Sequence, residues 1–363
     1  MTTVLQSFVA GRWVGQQAAQ ALHSAINGQE VAFAHAEHLD FAEALHYGRT
    51  TGLQGMLAMD FQQRAAALRA LAKYLGERKE ELYAISAHTG ATRIDSWVDI
   101  EGGTGTLFAY AGMAASELPS GNLIHEGPVA PLGKKNTFAG THILVPRGGV
   151  AVHINAFNFP IWGMLEKIAV NLMAGVPALV KPSEYTSYLT EVMVRDIIAS
   201  KILPEGALQL VVGLGRGILD HVSAEDMVTF TGSAHTGKLL KALPRIAQES
   251  VSFNLEADSL NATILGKHAT PDTPEFELFI KETVKEITIK AGQKCTAVRR
   301  IIVPDDLIDE VEKAIAARLA STKMGDPSVE GVRMGALATK SQVERVTASV
   351  KQLAESQAIV YGD

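Results

Sequence analysis

A single cysteine, Cys295, occurs in the 363 residues, so no internal disulfide can form. No Cys or His pairs stand at the spacing of a zinc site either. Apolar runs are short: none reaches the roughly 18 residues of a membrane span. The opening MTTVLQSFVAGRW lacks the basic-then-apolar layout of a secretory signal. Basic clusters are scarce. With 33 Lys and Arg against 39 Asp and Glu, the net charge is -6 and the pI about 6.0, which offers no footprint for a nucleic acid or an anionic membrane. No repeat or low-complexity segment stands out. A composition 47% hydrophobic and 20% charged is ordinary for a globular chain of this length, which is enough for two cored domains. These absences predict a cytoplasmic protein without nucleic-acid or membrane partners, and they leave the lone cysteine two readings, packing or nucleophile.

From Asp60 to about Thr89 the chain is rich in Ala, Leu, Lys and Glu with apolar residues three and four apart, and Asp60 with Gln63 has the form of a capping box. This predicts a helix broken near Gly76. From about Gly148 short β-branched runs alternate with helical stretches. The expected strands are 150–154, 177–182, 207–212, 226–230 and 250–255, and the expected helices 163–174, 186–200, 216–222 and 235–245. Strands of buried type joined by helices predict an α/β fold with a doubly wound parallel sheet, whose ligands bind at the carboxyl ends of its strands. After the Pro-containing joint ATPDTPEF (269–276), an amphipathic helix with Phe276, Phe279, Ile280, Val284 and Ile287 on one face is expected to end at Ala291-Gly292. A strand (299–304) and a helix (305 to about 321) then restart an α/β pattern. The resulting division is residues 1–257 and 258–363, with a hairpin near 134–146.

The chemistry-bearing residues sit at the expected strand ends. Cys295, in AGQKCTAVRR, follows a helix end, with Lys294 beside it and Arg299 and Arg300 behind. Nearby cations favour a thiolate. Glu256 closes SVSFNLE, where a carboxylate can activate water; without a nucleophile in prospect it reads as a solvated strand-end charge. Asn158, in NAFNFP, can donate its amide to an oxyanion, a contact typically worth about 2.7 to 4 kcal/mol of barrier, or can simply be a turn residue before Pro160. FTGSAHTG (230–237) leads from strand to helix, so that Gly232, Ser233 and the first helical amides can face a pyrophosphate. Such glycines, like those of GLGRG (213–217), also occur where nothing binds. KPSE places Lys181 and Glu184 after a strand, where they read as ribose contacts or as two surface charges.

Taken in order and spacing, NAFNFP, KPSE, FTGS, the strand-end Glu256 and GQKC resemble the aldehyde dehydrogenase superfamily over essentially the whole chain. GATRIDSWVDIEGGTGTLFAYA (90–111) is similar to the branch that oxidises ring-opened CoA semialdehydes in bacterial breakdown of benzoyl-CoA and phenylacetyl-CoA; the absence of a hydratase domain favours the former. The resemblance implies an NAD(P)-binding domain carrying an oligomerisation hairpin, an incomplete catalytic domain, and a homodimer or dimer of dimers acting on a small, CoA-linked aldehyde. It implies Cys295 as nucleophile, Asn158 with the Cys295 amide as oxyanion hole, and Glu256 as general base. Cofactor contacts fall on Ile154, Asn155, Lys181, Ser183, Glu184, Gly213, Phe230, Gly232 and Ser233, and substrate contacts on Phe157 and Phe159. NAD and NADP both stay open, since Glu184 repels a 2′-phosphate whereas the branch is similar to NADP users. Where most members read ELGG, this chain reads Glu256-Ala257-Asp258-Ser259, and the family's later Glu-x-Phe motif and last strand would lie beyond Asp363. Two rivals stand beside hydrolytic oxidation. One is a CoA-acylating relative, which Glu256 disfavours; the other is a truncated, inactive paralogue that only binds nucleotide or a partner subunit.

Overall fold

In the computed structural model, which describes residues 3–35, 37–135 and 137–362, the chain divides into two units. The first comprises Met1–Ala21, Ala32–Leu82 and Asp99–Ala257; the second comprises Leu22–Val31, Tyr83–Val98 and Asp258–Asp363.

Near its start the first unit carries the antiparallel strands β1 (Ser7–Val9) and β2 (Arg12–Val14). Helix α1 (Phe61–Gly76) starts on the expected capping box: Asp60 accepts from the Gln63 amide, and the Gln63 side chain accepts from the Asp60 amide. Its buried face includes Leu68, Leu71 and Leu75, and a separate helix resumes at Lys79 after the break. Helix α2 (Arg93–Glu117) contributes its later turns to this unit. An antiparallel hairpin follows, β3 (Ile124–Leu132) with β4 (Phe138–Leu144). The stretch 134–146 therefore supplies only the turn and the second arm; the first arm lies earlier, in a segment whose Gly127, Pro128 and Pro131 hide it from strand rules. Asn136 lies outside the described residues.

The remaining strands are β5 (Ala151–Ile154), β6 (Ala178–Lys181), β7 (Leu208–Leu210), β8 (Met227–Gly232) and β9 (Ser252–Ala257). Between them run α3 (Pro160–Met173), α4 (Ser187–Ser200) and α5 (Ala234–Lys241). The sheet order is β9-β8-β5-β6-β7-β1-β2, with β9 to β7 parallel and β1 and β2 antiparallel at one edge. Residues of successive parity on β5 serve opposite faces. Val150 and Val152 join Ala44, Leu45, Ile218, Leu219 and Ile246 in one apolar layer. His153 turns toward α3, where it meets Asn171. The doubly wound α/β expectation holds. The stretch 216–222 forms only a short 3-10 turn, and 235–245 divides at Pro244 into α5 and a second short helix.

The second unit contains β10 (Ala262–Ile264) and β11 (Arg300–Ile302), paired in parallel. Its helices are α6 (Pro274–Thr288), α7 (Ile308–Ala320) and α8 (Lys340–Ala354). Thr273 caps α6 by accepting from the Phe276 amide, and Pro274 takes the first-turn position that needs no donor. Phe276 and Ile280 of α6 meet Val311 of α7, with Leu265 and Leu307, in a small core, while α8 buries no residue. Helix α6 ends at Thr288, before the expected Ala291-Gly292, because Lys290 and Ala291 are left-handed at φ +52 and Gly292 at φ +72. Among the described residues no helix is long and apolar enough to cross a membrane.

Candidate active site

In the first unit the strand order reverses between β5 and β8: from β5 the chain winds outward through β6 and β7, and from β8 through β9. A crevice at the carboxyl ends of two such strands is where doubly wound sheets bind ligands. Register places Ile154 opposite Lys181 on one side and Phe230 on the other, so three of the residues expected to contact a cofactor share one row. Lys181 is buried and its ammonium pairs with Glu184 at 3.0 Å. Ser183, between them, is half-buried. Gly213 follows β7 at φ +95 with open space where a Cβ would sit. Gly232 ends β8, and Ser233 caps α5, its hydroxyl accepting from the Thr236 amide at 3.2 Å. Asn155 is 4% exposed and neither atom of its side-chain amide has a hydrogen-bond partner among the described residues. Buried amides are nearly always paired, so this strand end keeps hydrogen-bonding capacity for a ligand. An ammonium, a carboxylate, a hydroxyl and helical amides at one sheet edge form a donor set that fits the riboses and pyrophosphate of a dinucleotide.

The loop 155–160 is held at three places. The Asn155 amide donates to the Lys181 carbonyl at 3.0 Å. The Thr186 hydroxyl donates to the Phe157 carbonyl at 3.2 Å. Asp99 is buried and its Oδ1 accepts from the Ile161 and Trp162 amides at 3.1 and 2.8 Å, capping the first turn of α3. Phe157, Asn158 and Phe159 are all half-buried between these anchors. Under the same strand His153 is fully enclosed. Its Nε2 lies 2.9 Å from Asn171 Oδ1 and its Nδ1 2.8 Å from Thr229 Oγ1. Because the Asn171 amide nitrogen donates to the Val176 carbonyl, its oxygen faces the ring, and Nε2 must carry the proton. Burial brings the His153 pKa down to about 4. Glu256, at the last turn of β9, is exposed and accepts from the Thr231 hydroxyl of β8 at 3.1 Å.

Cys295 belongs to the second unit and is exposed, which removes its reading as a core filler. All three neighbouring cations are engaged: Lys294 pairs with Glu286 at 2.9 Å, Arg299 donates to the Gly292 carbonyl at 2.9 Å, and Arg300 donates to the Leu260 carbonyl. Upstream, the left-handed turn is anchored on buried groups. Asp95 Oδ1 accepts from the Lys290 amide at 2.8 Å while Asp95 Oδ2 accepts from Thr92, and the buried Lys290 ammonium donates to Thr89 Oγ1 at 2.5 Å. At the departure from ELGG, Asp258 stands at φ +51, the left-handed region that favours glycine. The Ser259 hydroxyl and the Asn261 amide both donate to the Cys295 carbonyl, at 2.5 and 2.6 Å. Asp99, Thr186, Asp95, Lys290, Ser259 and Asn261 carry no motif of their own; only polar residues near expected strand and helix ends could have hinted at them.

The model of the aldehyde dehydrogenase family matches residues 13–363. The chain is 41% identical over 360 residues to the 3,4-dehydroadipyl-CoA semialdehyde dehydrogenase of Aromatoleum evansii, covering 99% of this chain and 70% of that protein. To the hydroxyisobutyraldehyde dehydrogenase of Mycolicibacterium austroafricanum it is 28% identical over 312 residues, covering 82% of this chain and 56% of that protein. Among solved structures, the lactaldehyde dehydrogenase of Escherichia coli superimposes with a TM-score of 0.84 at 21% identity, covering 98% of this chain and 72% of that one. An NAD+ complex of an aldehyde dehydrogenase from Bacillus cereus gives 0.82 at 22%, covering 99% and 71%.

Proposed function

Since the chain belongs to the aldehyde dehydrogenase family, a family of oxidoreductases, we propose that it oxidises an aldehyde to a carboxylic acid with NAD or NADP, and that its substrate is a CoA-linked semialdehyde. The identity of 41% along nearly the whole chain to a dehydrogenase of that substrate class carries the substrate reading. An exposed thiol on a tight turn supports the mechanism.

The thiolate of Cys295 adds to the aldehyde carbon, and the oxygen takes the electron pair as an oxyanion, which the Asn158 side-chain amide and the Cys295 amide stabilise. A nicotinamide cofactor held by the residues named below would supply the hydride acceptor that lets the carbonyl reform. A thioester on Cys295 results. Glu256 takes a proton from water, whose oxygen attacks the thioester carbon; the C–S bond breaks, releasing the acid and regenerating the thiol. A carboxylate at the end of β9 favours water over CoA as acyl acceptor. Lys181, Ser183 and Glu184 hold the adenosine ribose; Gly232, Ser233 and the first amides of α5 hold the pyrophosphate. Ile154, Asn155, Gly213 and Phe230 line the rest of the dinucleotide site, and Phe157 and Phe159 line the aldehyde's approach. The first unit is the nucleotide-binding domain, and the second, which adds residues 22–31 and 83–98 to 258–363, belongs to the catalytic domain. The hairpin β3–β4 exposes Val129, Leu132, Phe138, Ile143 and Leu144. A lone hairpin is marginal in water, which supports pairing with another copy of the chain.

Absorbance at 340 nm, followed with a CoA-linked semialdehyde, with short aliphatic aldehydes, and with each cofactor, tests the reading. Reduction coupled to release of free acid, strongest with the CoA-linked substrate, is expected. Acyl-CoA formation that depends on added CoA, or no reduction with any aldehyde, would overturn it.

A further inference from the structure

The residues Lys294 to Ala297 form a tight turn, closed by the Ala297 amide donating to the Lys294 carbonyl at 3.1 Å. Cys295 is the second residue of that turn. Its carbonyl therefore belongs to the central peptide, the one unit whose rotation by roughly half a circle interconverts the two common turn types without breaking the closing bond. In an exposed turn such a flip is easy, and here both flanking residues are exposed. The Cys295 carbonyl, however, accepts from two side chains at once: Ser259 Oγ at 2.5 Å and Asn261 Nδ2 at 2.6 Å. Asn261 also reaches Ser259 Oγ at 3.2 Å and the Ala297 carbonyl at 3.3 Å, and its own carbonyl accepts from the Arg299 and Arg300 amides at 2.9 and 3.1 Å. Asn261 is thus fixed at both ends to the segment that carries the thiol. Because the peptide is planar and trans, a carbonyl turned onto these donors sends the Thr296 N–H to the opposite side.

We propose that Asn261 and Ser259 are positioning residues that lock the central peptide of the thiol-bearing turn, fixing the backbone from which Sγ is aimed and the side on which a peptide dipole faces it. Resting on the nucleophile reading above, the lock makes Ser259, which stands where most of the family has glycine, a device particular to sequences with a hydroxyl there. Its acceptor is a backbone carbonyl, so threonine at 259 preserves it and alanine does not.

Asn261→Ala, Ser259→Ala, their combination and Ser259→Thr would be compared with wild type by turnover per iodoacetamide-titratable thiol, by nucleotide affinity, by thermal midpoint, and by hydrogen exchange of the peptide spanning 293–299. Expected are a fall of kcat per titratable thiol of about tenfold for either single alanine and on the order of a hundredfold for both. KM and nucleotide affinity should stay within about twofold, exchange of the turn amides should rise about tenfold, and Ser259→Thr should behave as wild type. A merely structural role would lower the fraction of titratable protein and the midpoint while leaving kcat per thiol unchanged, and that outcome would overturn the proposal. Should wild type oxidise no aldehyde, the reading of the site fails, and exchange alone decides the lock: unaltered exchange in the double variant overturns it.

Discussion

Acidification from pH 7 to pH 5 tests the enclosed hydrogen-bond chain that underlies β5. His153 is neutral in the fold, donating to Asn171 and accepting from Thr229, and burial brings its pKa from the ordinary value of about 6.5 to about 4. A lowered histidine pKa means that the unfolded chain binds the proton more readily than the folded one. Stability from this group is therefore fully present above about pH 6.5 and is lost as pH falls toward 4. The two values give about 3 kcal/mol at the acid limit and about 2 kcal/mol between pH 7 and pH 5. His35, whose pKa burial also lowers, acts in the same direction, whereas Glu37, held to about 2 chiefly by the Gln16 and Gln17 amides, acts only at lower pH. The contribution of His153 is isolated by subtraction: urea unfolding free energies at pH 5, 6 and 7 for wild type and for His153→Gln, whose amide does not titrate. The wild-type curve should lose about 2 kcal/mol more than the variant over that range. Parallel curves would refute a neutral, enclosed imidazole.

Three further outcomes follow from single contacts. Arg64 is buried and donates to the Asp60 carbonyl, the Met173 carbonyl and the Asn122 side chain, so Arg64→Met should cost about 3 kcal/mol in urea unfolding by stranding those acceptors. Asp99→Ala removes the acceptor of the Ile161 and Trp162 amides; it should cost about 1 kcal/mol in thermal unfolding and lower kcat more than nucleotide affinity, because α3 follows Asn158 directly. Glu184→Ser removes a carboxylate beside the proposed ribose site and should improve the KM ratio for NADP over NAD about tenfold, measured by cofactor titration at fixed aldehyde.

Much of the fold was legible because its signals are local. The alternation of β-branched runs with helical stretches after Gly148 announces the parallel strands, and Asp60 with Gln63 announces the start of α1. What escaped depends on partners distant in sequence or on unusual backbone. The end of α6 lies at Thr288 because Lys290 and Ala291 are left-handed, a conformation no propensity foretells for those residue types; Asp95, almost two hundred positions earlier, holds it in place. The first hairpin arm is hidden by its prolines. At the candidate site, Gly213, Gly232, Lys181 and Glu256 are visible as strand-end residues, and the register that aligns Ile154 with Lys181 and Phe230 follows from sheet order. Ser259 and Asn261 were invisible as functional residues, since their role lies in a carbonyl more than thirty positions downstream.

The proposed mechanism requires that residue 295 carry the acyl group and that residue 256 release it. Glu256→Gln mixed with aldehyde and cofactor, quenched in acid and digested for mass spectrometry, addresses this directly. A burst of reduced cofactor with an acyl mass on the peptide containing Cys295, and loss of both in Cys295→Ala, is the expected result. Steady acid formation by Cys295→Ala, or an acyl group found on any other residue, would contradict it.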